Sequence, residues 1–569
     1  MRPNGVRPRS ALNTARPPSD QRVAFFFPFA DIWTHQRVIE QVAHAWSKEN
    51  EVELIKCDGN RHGACPAQRS LSLDDNTPIV DRRRVCDRCR CVSTLGKNLT
   101  TIDLVDLETP AVILPTALED LLEFTFNDHP FGRISVYDYL LTCKKSHDEL
   151  TQDDLRPVEN AIRDALEIYH KLSSLFREKQ YETLVVNNEL YGVCAAAALA
   201  ARDCGADVIN LHLGAFRSRL DRSFYLVGHS DSHLFFGETY AKVEKVTATL
   251  PKGFGSTLRR ELRARYLRRH SLNYGYSSSQ RTTGGEFDRR FTSTLLLSSP
   301  DEMQTHFFVS GLPPVDIDQL RLVDHFTRYA EAHPTEYFCI RPHPRLEANS
   351  RDINRSPFAS TLQDHLLNLP PNLLLDAGSS ARPVIETIRN SDSIVVSWSS
   401  VGLDAAALGI PVVFGIPGFP LSYPSEVGTP VEDTSYNSLE MAINSARSAK
   451  IGTGAKNAIQ FYVALWNTHY HFFMPPVNCS PSMFLLALDT KLSHRIKPRF
   501  HRALRRLEVM INSTLHSLMS HVAHTVYRSS LLADFRIQLQ REETVDLESR
   551  FTRELRRSLR IPPCSNSQD

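Results

Sequence analysis

The chain has 569 residues, too many for one hydrophobic core, so two large domains with additions are expected. An apolar share of 41% and a charged share of 23% are those of a globular protein, and a net charge of +1 gives no global case for a nucleic-acid partner. No run approaches the roughly 20 apolar residues that a membrane-crossing helix needs.

Residues 1–21 mix Arg, Pro and Ser without the apolar centre of a secretory signal, and read as a disordered tail on a cytoplasmic protein. RVAFFFPFA (22–30) is a compact apolar strand, His35 to Lys48 a helical stretch, and EVELIKC a second strand. Asp154 to Gln180 places Leu155, Val158, Ile162, Ala165, Leu166, Tyr169 and Leu172 at helical spacing. TLVVNN then gives a buried strand, Val193 to Cys204 an alanine-rich helix, and ADVINLHLG a further strand. These β–α repeats predict an N-terminal α/β domain over 22–275 with a parallel sheet.

Residues 57–91 read as a Cys-rich insertion, Cys57-x7-Cys65-x20-Cys86-x2-Cys89-x-Cys91, with His62 inside it. In a reducing compartment clustered cysteines bind metal more often than they pair as disulfides. Cys57, Cys65, Cys86 and Cys89 could supply four thiolates to a zinc ion or an iron–sulfur cluster; free thiols are the alternative. Four protein ligands leave no open position, so such a centre would be structural.

The composition shifts to a basic helical stretch, Leu258 to His270, and then to a Gly/Ser/Tyr-rich linker, placed at 276–290. A second α/β domain follows over 291–485, with strands at STLLLSS, EYFCIRPHP and NLLLDAG and helices at Ile317 to Ala332 and Ala381 to Arg389. Residues 486–569 read as a helical, Arg-rich extension. Its basic helices and Leu258–His270 could touch an anionic membrane surface, although a solvated face is the commoner use of such charge. Asp316-x-Asp318 precedes a helix and reads as an N-cap.

Ser391 to Pro420 carries the strongest pattern. Ile394 to Val396 is a buried strand, and Ser397, Ser399, Ser400 and Gly402 form a hydroxyl-rich turn. Leu403 to Leu408 is a helix bearing Asp404, and Val412 to Phe414 is the next strand. Serine hydroxyls and backbone N–H groups at such a turn suit phosphate. Arg341-Pro342-His343-Pro344-Arg345 stands at another strand end of the same domain, with two guanidinium forks and an imidazole to meet anionic oxygens.

The order Arg-Pro-His-Pro, a strand ending at Asp376, and Ser-x-Ser-Ser-Val-Gly-Leu-Asp resembles the C-terminal domain of GT-B-type glycosyltransferases. It is most similar to those of capsular-polysaccharide synthesis and to CDP-glycerol glycerophosphotransferases. The resemblance implies two Rossmann-like domains facing a cleft, with a nucleotide-sugar donor on 291–485 and a polysaccharide or lipid-linked acceptor against 22–275. It also implies that Arg341, His343, Ser397, Ser399, Ser400 and Gly402 hold the donor's phosphates without a metal, and that Asp404 meets its ribose. His212 or Glu189, each at an N-terminal strand end, would then be the base that takes the acceptor's proton. Asp231 and His233 are weaker candidates for the cleft. The competing expectations are an epimerase of the same architecture and an inactive, metal-stapled scaffold in surface-polymer assembly.

Overall fold

A computed structural model describes residues 21–28, 46–57, 65–69, 77–92, 99–104, 109–213, 223–227, 289–312, 318–347, 354–376, 384–419, 423–449 and 453–472, with single residues between them. The tail, nearly all of the linker, the C-terminal extension, Leu258–His270, Asp231 and His233 lie outside the described residues.

The strands form two sheets. The first contains β1 (Arg22–Phe27), β2 (Glu51–Lys56), β3 (Thr100–Asp103), β4 (Thr183–Asn187), β5 (Asp207–Leu213), β6 (Ser223–Val227) and β13 (Tyr470–Phe472), in the order β13-β6-β5-β4-β1-β2-β3. Strands β1 to β5 are parallel, and β6 and β13 extend the edge antiparallel. The second contains β7 (Ser293–Leu296), β8 (Phe338–Arg341), β9 (Leu373–Leu375), β10 (Ile394–Val396), β11 (Val412–Phe414) and β12 (Thr429–Pro430), all parallel, in the order β12-β11-β10-β7-β8-β9. Counted from its own first strand, each sheet is doubly wound, and the second has the Rossmann order 3-2-1-4-5-6. The chain is therefore α/β with two Rossmann-like lobes.

Parallel strands covered on both faces need continuous apolar runs, and Phe25, Phe26, Leu184, Val185, Val186, Ile340, Val395 and Val413 are all fully buried. The segment 57–91 is not an appendage. It is the β2–β3 crossover, and helix α1 (Ile79–Val92) within it carries Cys86 and Cys89. Four further helices of the first lobe matter here: α2 (Phe131–Ser135), α3 (Tyr137–Cys143), α4 (Leu155–Lys179) and α5 (Gly192–Asp203). Alanines 195–198, 200 and 201 let α5 lie close against α4. A Cβ on Gly192 would stand 2.8 Å from the Ser135 carbonyl oxygen, so only glycine admits α2 at this point.

In the second lobe α6 (Pro300–Ser310) follows β7, α7 (Gln319–Ala332) precedes β8 and α8 (Val384–Arg389) precedes β10. Asp318 caps α7 by accepting the Arg321 N–H at 3.0 Å, as the sequence predicted. Then come α9 (Val401–Ala407), α10 (Tyr436–Ser448) and α11 (Thr453–His469). Helix α11 leads back to the first lobe, where Tyr470 of β13 pairs with Tyr225 of β6. The range 291–485 therefore includes an edge strand of the first sheet, a return that sequence periodicity gives no sign of.

The lobes meet at their strand-end edges. Asp138 of α3 accepts from Gly192 N–H (3.0 Å), just beyond the carboxyl end of β4. At the end of the same helix the fully buried Lys144, in a left-handed conformation, donates to the Arg345 carbonyl at 2.5 Å and the Glu347 carbonyl at 3.0 Å, just beyond β8. Arg345 donates to Asp301 at 2.7 Å and to the Leu141 carbonyl. His147 stacks on Phe308, with ring centroids 4.1 Å apart. No helix among the described residues is long and apolar enough to cross a membrane.

Candidate functional site

In a 3-2-1-4-5-6 sheet the ligand crevice lies outside the carboxyl ends of the first and fourth strands, where the winding reverses. Those strands are β7 and β10. Register sets Arg341, Leu296 and Val396 side by side across β8, β7 and β10. The segments that follow, His343, Ser298–Ser299 and Ser397–Ser400, therefore share one edge, and β8 and β10 are two strand spacings (about 10 Å) apart.

Gln319 organises the reversal point. Its amide oxygen accepts from Ser298 N–H (2.8 Å) and from Ser397 Oγ–H (2.6 Å), while its Nε2 donates to the Ser298 carbonyl at 3.2 Å. Ser397 is fully buried, so its hydroxyl is spent on this clamp and does not face a ligand. The Ser298 hydroxyl is buried in the same place and has no hydrogen-bond partner among the described residues. Ser399 is half-buried and Ser400 exposed at the start of α9. The Tyr423 hydroxyl fixes their turn by donating to the Ser399 carbonyl at 2.8 Å. Gly402 is glycine for the same reason: a Cβ there would stand 2.7 Å from that hydroxyl and 3.1 Å from Val396. Packing therefore accounts for glycine at this position.

Arg341 also departs from expectation. Its Nη1 donates to Asp376 at 2.5 Å and to Thr387 at 3.1 Å, and Thr387 donates to the same carboxylate oxygen at 2.7 Å. Both charged side chains are under a tenth exposed, so the guanidinium is committed to a buried pair. Arg345 is committed likewise to Asp301. Of the Arg-Pro-His-Pro-Arg cluster, His343 keeps the chemistry of a donor. Its Nδ1 accepts the Arg345 N–H at 3.2 Å, which leaves the ring proton of the neutral imidazole on Nε2. Burial, helped by the Arg345 charge, pushes its pKa down from 6.5 to about 4. At neutral pH it is an uncharged N–H donor.

Asp404 is 1% exposed and accepts from the Tyr462 hydroxyl of α11. It joins α9 to α11 and faces the core where a ribose contact was expected. Tyr462→Phe should therefore cost about 1–3 kcal/mol in urea unfolding while nucleotide binding stays unchanged. A variant of native stability that no longer binds nucleotide would return Asp404 to the ribose.

In the first lobe Glu189 follows β4 and is almost fully buried, accepting from Arg202 of α5 at 2.5 Å. His212 lies on β5 in register with Tyr225, and its side chain is outside the described residues. At the carboxyl ends of β1 and β2, Cys57, Cys65, Cys86 and Cys89 line one cavity of about 20 Å³ together with Phe27 and Lys56. No group of three or more His, Cys, Asp or Glu side chains among the described residues is arranged as a ligand set, so the expected zinc or iron–sulfur site is not formed as it stands.

Sequence reading missed Ser298, Gln319 and Tyr423. The serine pair ending STLLLSS was a usable signal for the first. The other two act through contacts 78 and 24 residues away in the chain, which no local pattern reveals.

Fold and site together define a two-lobed, doubly wound α/β protein with a ligand crevice at a strand-order reversal. No protein-family model and no curated protein sequence matches the chain. Among solved structures it is similar to UDP-GlcNAc 2-epimerase from Neisseria meningitidis bound to UDP-GlcNAc, at 12% identity over 78% of this chain and 98% of that one, with a TM-score of 0.29. It is also similar to a glycotransferase of kitacinnamycin (11% identity, 79% and 96% covered, TM-score 0.30). A third is Thermosulfurimonas dismutans KpsC, beta Kdo 2,7 transferase (14% identity, 54% and 83% covered, TM-score 0.31). At such scores these likenesses carry no argument, and the architecture stands on the chain's own strand order.

Proposed function

We propose that the chain is a glycosyltransferase that moves a sugar, or a polyol phosphate, from a nucleotide-activated donor to a polysaccharide or lipid-linked hydroxyl. The observation that carries this reading is the reversal point between β7 and β10, where the buried Ser298 hydroxyl still lacks a partner among the described residues. A buried hydroxyl at such a crevice is satisfied by a ligand's oxygen or hydroxyl. In this reading Ser399, Ser400 and the Nε2–H of His343 hold the donor's diphosphate, and stabilise the charge that develops as it leaves. A neutral N–H and hydroxyls do this work, because Arg341 and Arg345 are each held by a carboxylate.

The acceptor then lies against the first lobe, with His212 or Glu189 as the base. Glu189 is the weaker of the two, since its carboxylate is already engaged by Arg202. The protein would work in the cytoplasm, with any membrane contact made peripherally through basic segments at the inner face.

A screen of UDP-, GDP-, CDP- and CMP-linked donors by thermal shift and nucleotide release tests the proposal. One donor class should raise Tm, and nucleotide should be released only when an acceptor is present. A rearranged nucleotide-sugar formed without acceptor and without net nucleotide release would indicate the epimerase. No stabilisation by any donor would remove the donor-site reading altogether.

A further inference from the structure

The cysteine cavity is independent of the transferase reading and has features that a set of idle thiols does not need. Helix α1 (IVDRRRVCDRCRCV) buries only one apolar side chain, Val85, among its described side chains, and Ile79 and Val80 are at least half exposed. Apolar packing alone is a weak fastener for this crossover. The helix instead turns Cys86 and Cys89 toward Cys57, at the end of β2, and toward the buried Cys65. These sulfurs are provided with N–H donors. Gly59 N–H donates to Cys57 Sγ at 3.4 Å, and Nε2 of the buried Gln68 donates to Cys86 Sγ at 3.4 Å. Donors of this kind favour thiolate over thiol and are the usual outer support of a thiolate-bound metal.

We propose that Cys57, Cys65, Cys86 and Cys89 bind a single thiophilic divalent ion, zinc by its chemistry, which fastens the β2–β3 crossover to the carboxyl edge of the first sheet. The thiols line the cavity without yet forming a ligand set, so the ion gathers them. Four thiolates around a divalent ion carry a net charge of −2, and Lys56 on the cavity wall opposes it. No electron is transferred: each thiol gives its proton to solvent and its sulfur lone pair to the ion. Because the ligands are thiolates, binding releases protons and affinity falls as pH falls. With every tetrahedral position filled by protein, the role is structural.

The full chain, purified under reductant, should contain one zinc per molecule. After chelation, Co2+ should produce sulfur-to-cobalt charge-transfer and intense tetrahedral d–d absorption that saturates at one equivalent and disappears when zinc is added. Zinc should raise Tm of the chelated chain and should not raise that of Cys89→Ser. Should Cys89→Ser fail to fold, thiol titration of the wild type decides the matter: zinc should protect four thiols from an aromatic disulfide reagent. Absence of both copurified metal and cobalt absorption would overturn the proposal. So would visible iron–sulfur absorption, equal thiol reactivity with and without zinc, or a disulfide among these four in the native protein.

Discussion

Replacing Arg345 by alanine is expected to destabilise the chain by about 3–5 kcal/mol, a large part of the roughly 5–15 kcal/mol that holds a typical protein folded. Arg345 and Asp301 are 2.7 Å apart, with side chains 4% and 3% exposed. Removing the guanidinium leaves the Asp301 carboxylate buried without its countercharge and takes the donor from the Leu141 carbonyl of the other lobe. Arg345→Lys should fall between wild type and alanine, because a single ammonium cannot serve both acceptors in the fork geometry. The double change Arg345→Met with Asp301→Leu should recover most of the loss, since it removes the charge along with its partner. Urea unfolding measures all three. A cost for Arg345→Ala within about 1 kcal/mol, the range of an exposed pair, would mean that this buried pair and the bond to Leu141 of the other lobe contribute little to stability.

Replacing His343 by alanine is expected to lower kcat for nucleotide release by about 10²-fold, the usual cost of deleting one donor to a developing oxyanion. Urea unfolding of His343→Ala at neutral pH checks that the fold survives, so that a loss of kcat can be read as a loss of chemistry. The titration of His343 gives a second readout. The folded ring titrates near 4 and the unfolded ring near 6.5, so the unfolded state takes up the proton first as the solution is acidified. Stability is complete on this account above pH 6.5, is lost as pH falls toward 4, and declines no further below that. His343→Ala should lose less stability than wild type between those limits. An activity limb near pH 6.5 that vanishes in His343→Ala would contradict a ring held neutral down to about pH 4.

The donor-side expectations fared unevenly for a physical reason. Ser399 and His343 are half-buried and Ser400 is exposed, each just beyond a strand end. Arg341, Ser397, Gly402 and Asp404 sit in the same pattern, yet each is consumed by a distant partner: Asp376, Gln319, Tyr423 and Tyr462. A polar side chain beside a strand end can turn outward to a ligand or inward to the fold. Its spacing is the same in both cases. The inward choice is made by residues from 35 to 78 positions away for Arg341, Asp404 and Ser397, which a local motif cannot include.

By itself the sequence determined the elements and their class. Apolar runs such as Leu184 to Val186 and Ile394 to Val396 read as buried strands, and helical periodicity over 154–180 as an amphipathic helix, and the structure has both. Local patterns of two and 3.6 residues are enough for that, because they record which face is buried. The tertiary structure alone decided the strand order, and with it the reversal point where Ser298 is left unsatisfied among the described residues. It also decided that β13 returns to the first sheet, that 57–91 is a crossover, and that Lys144 and Arg345 join the lobes. These are pairings between residues far apart in the chain, and burial of charge is tolerable only where the partner arrives from elsewhere in the fold.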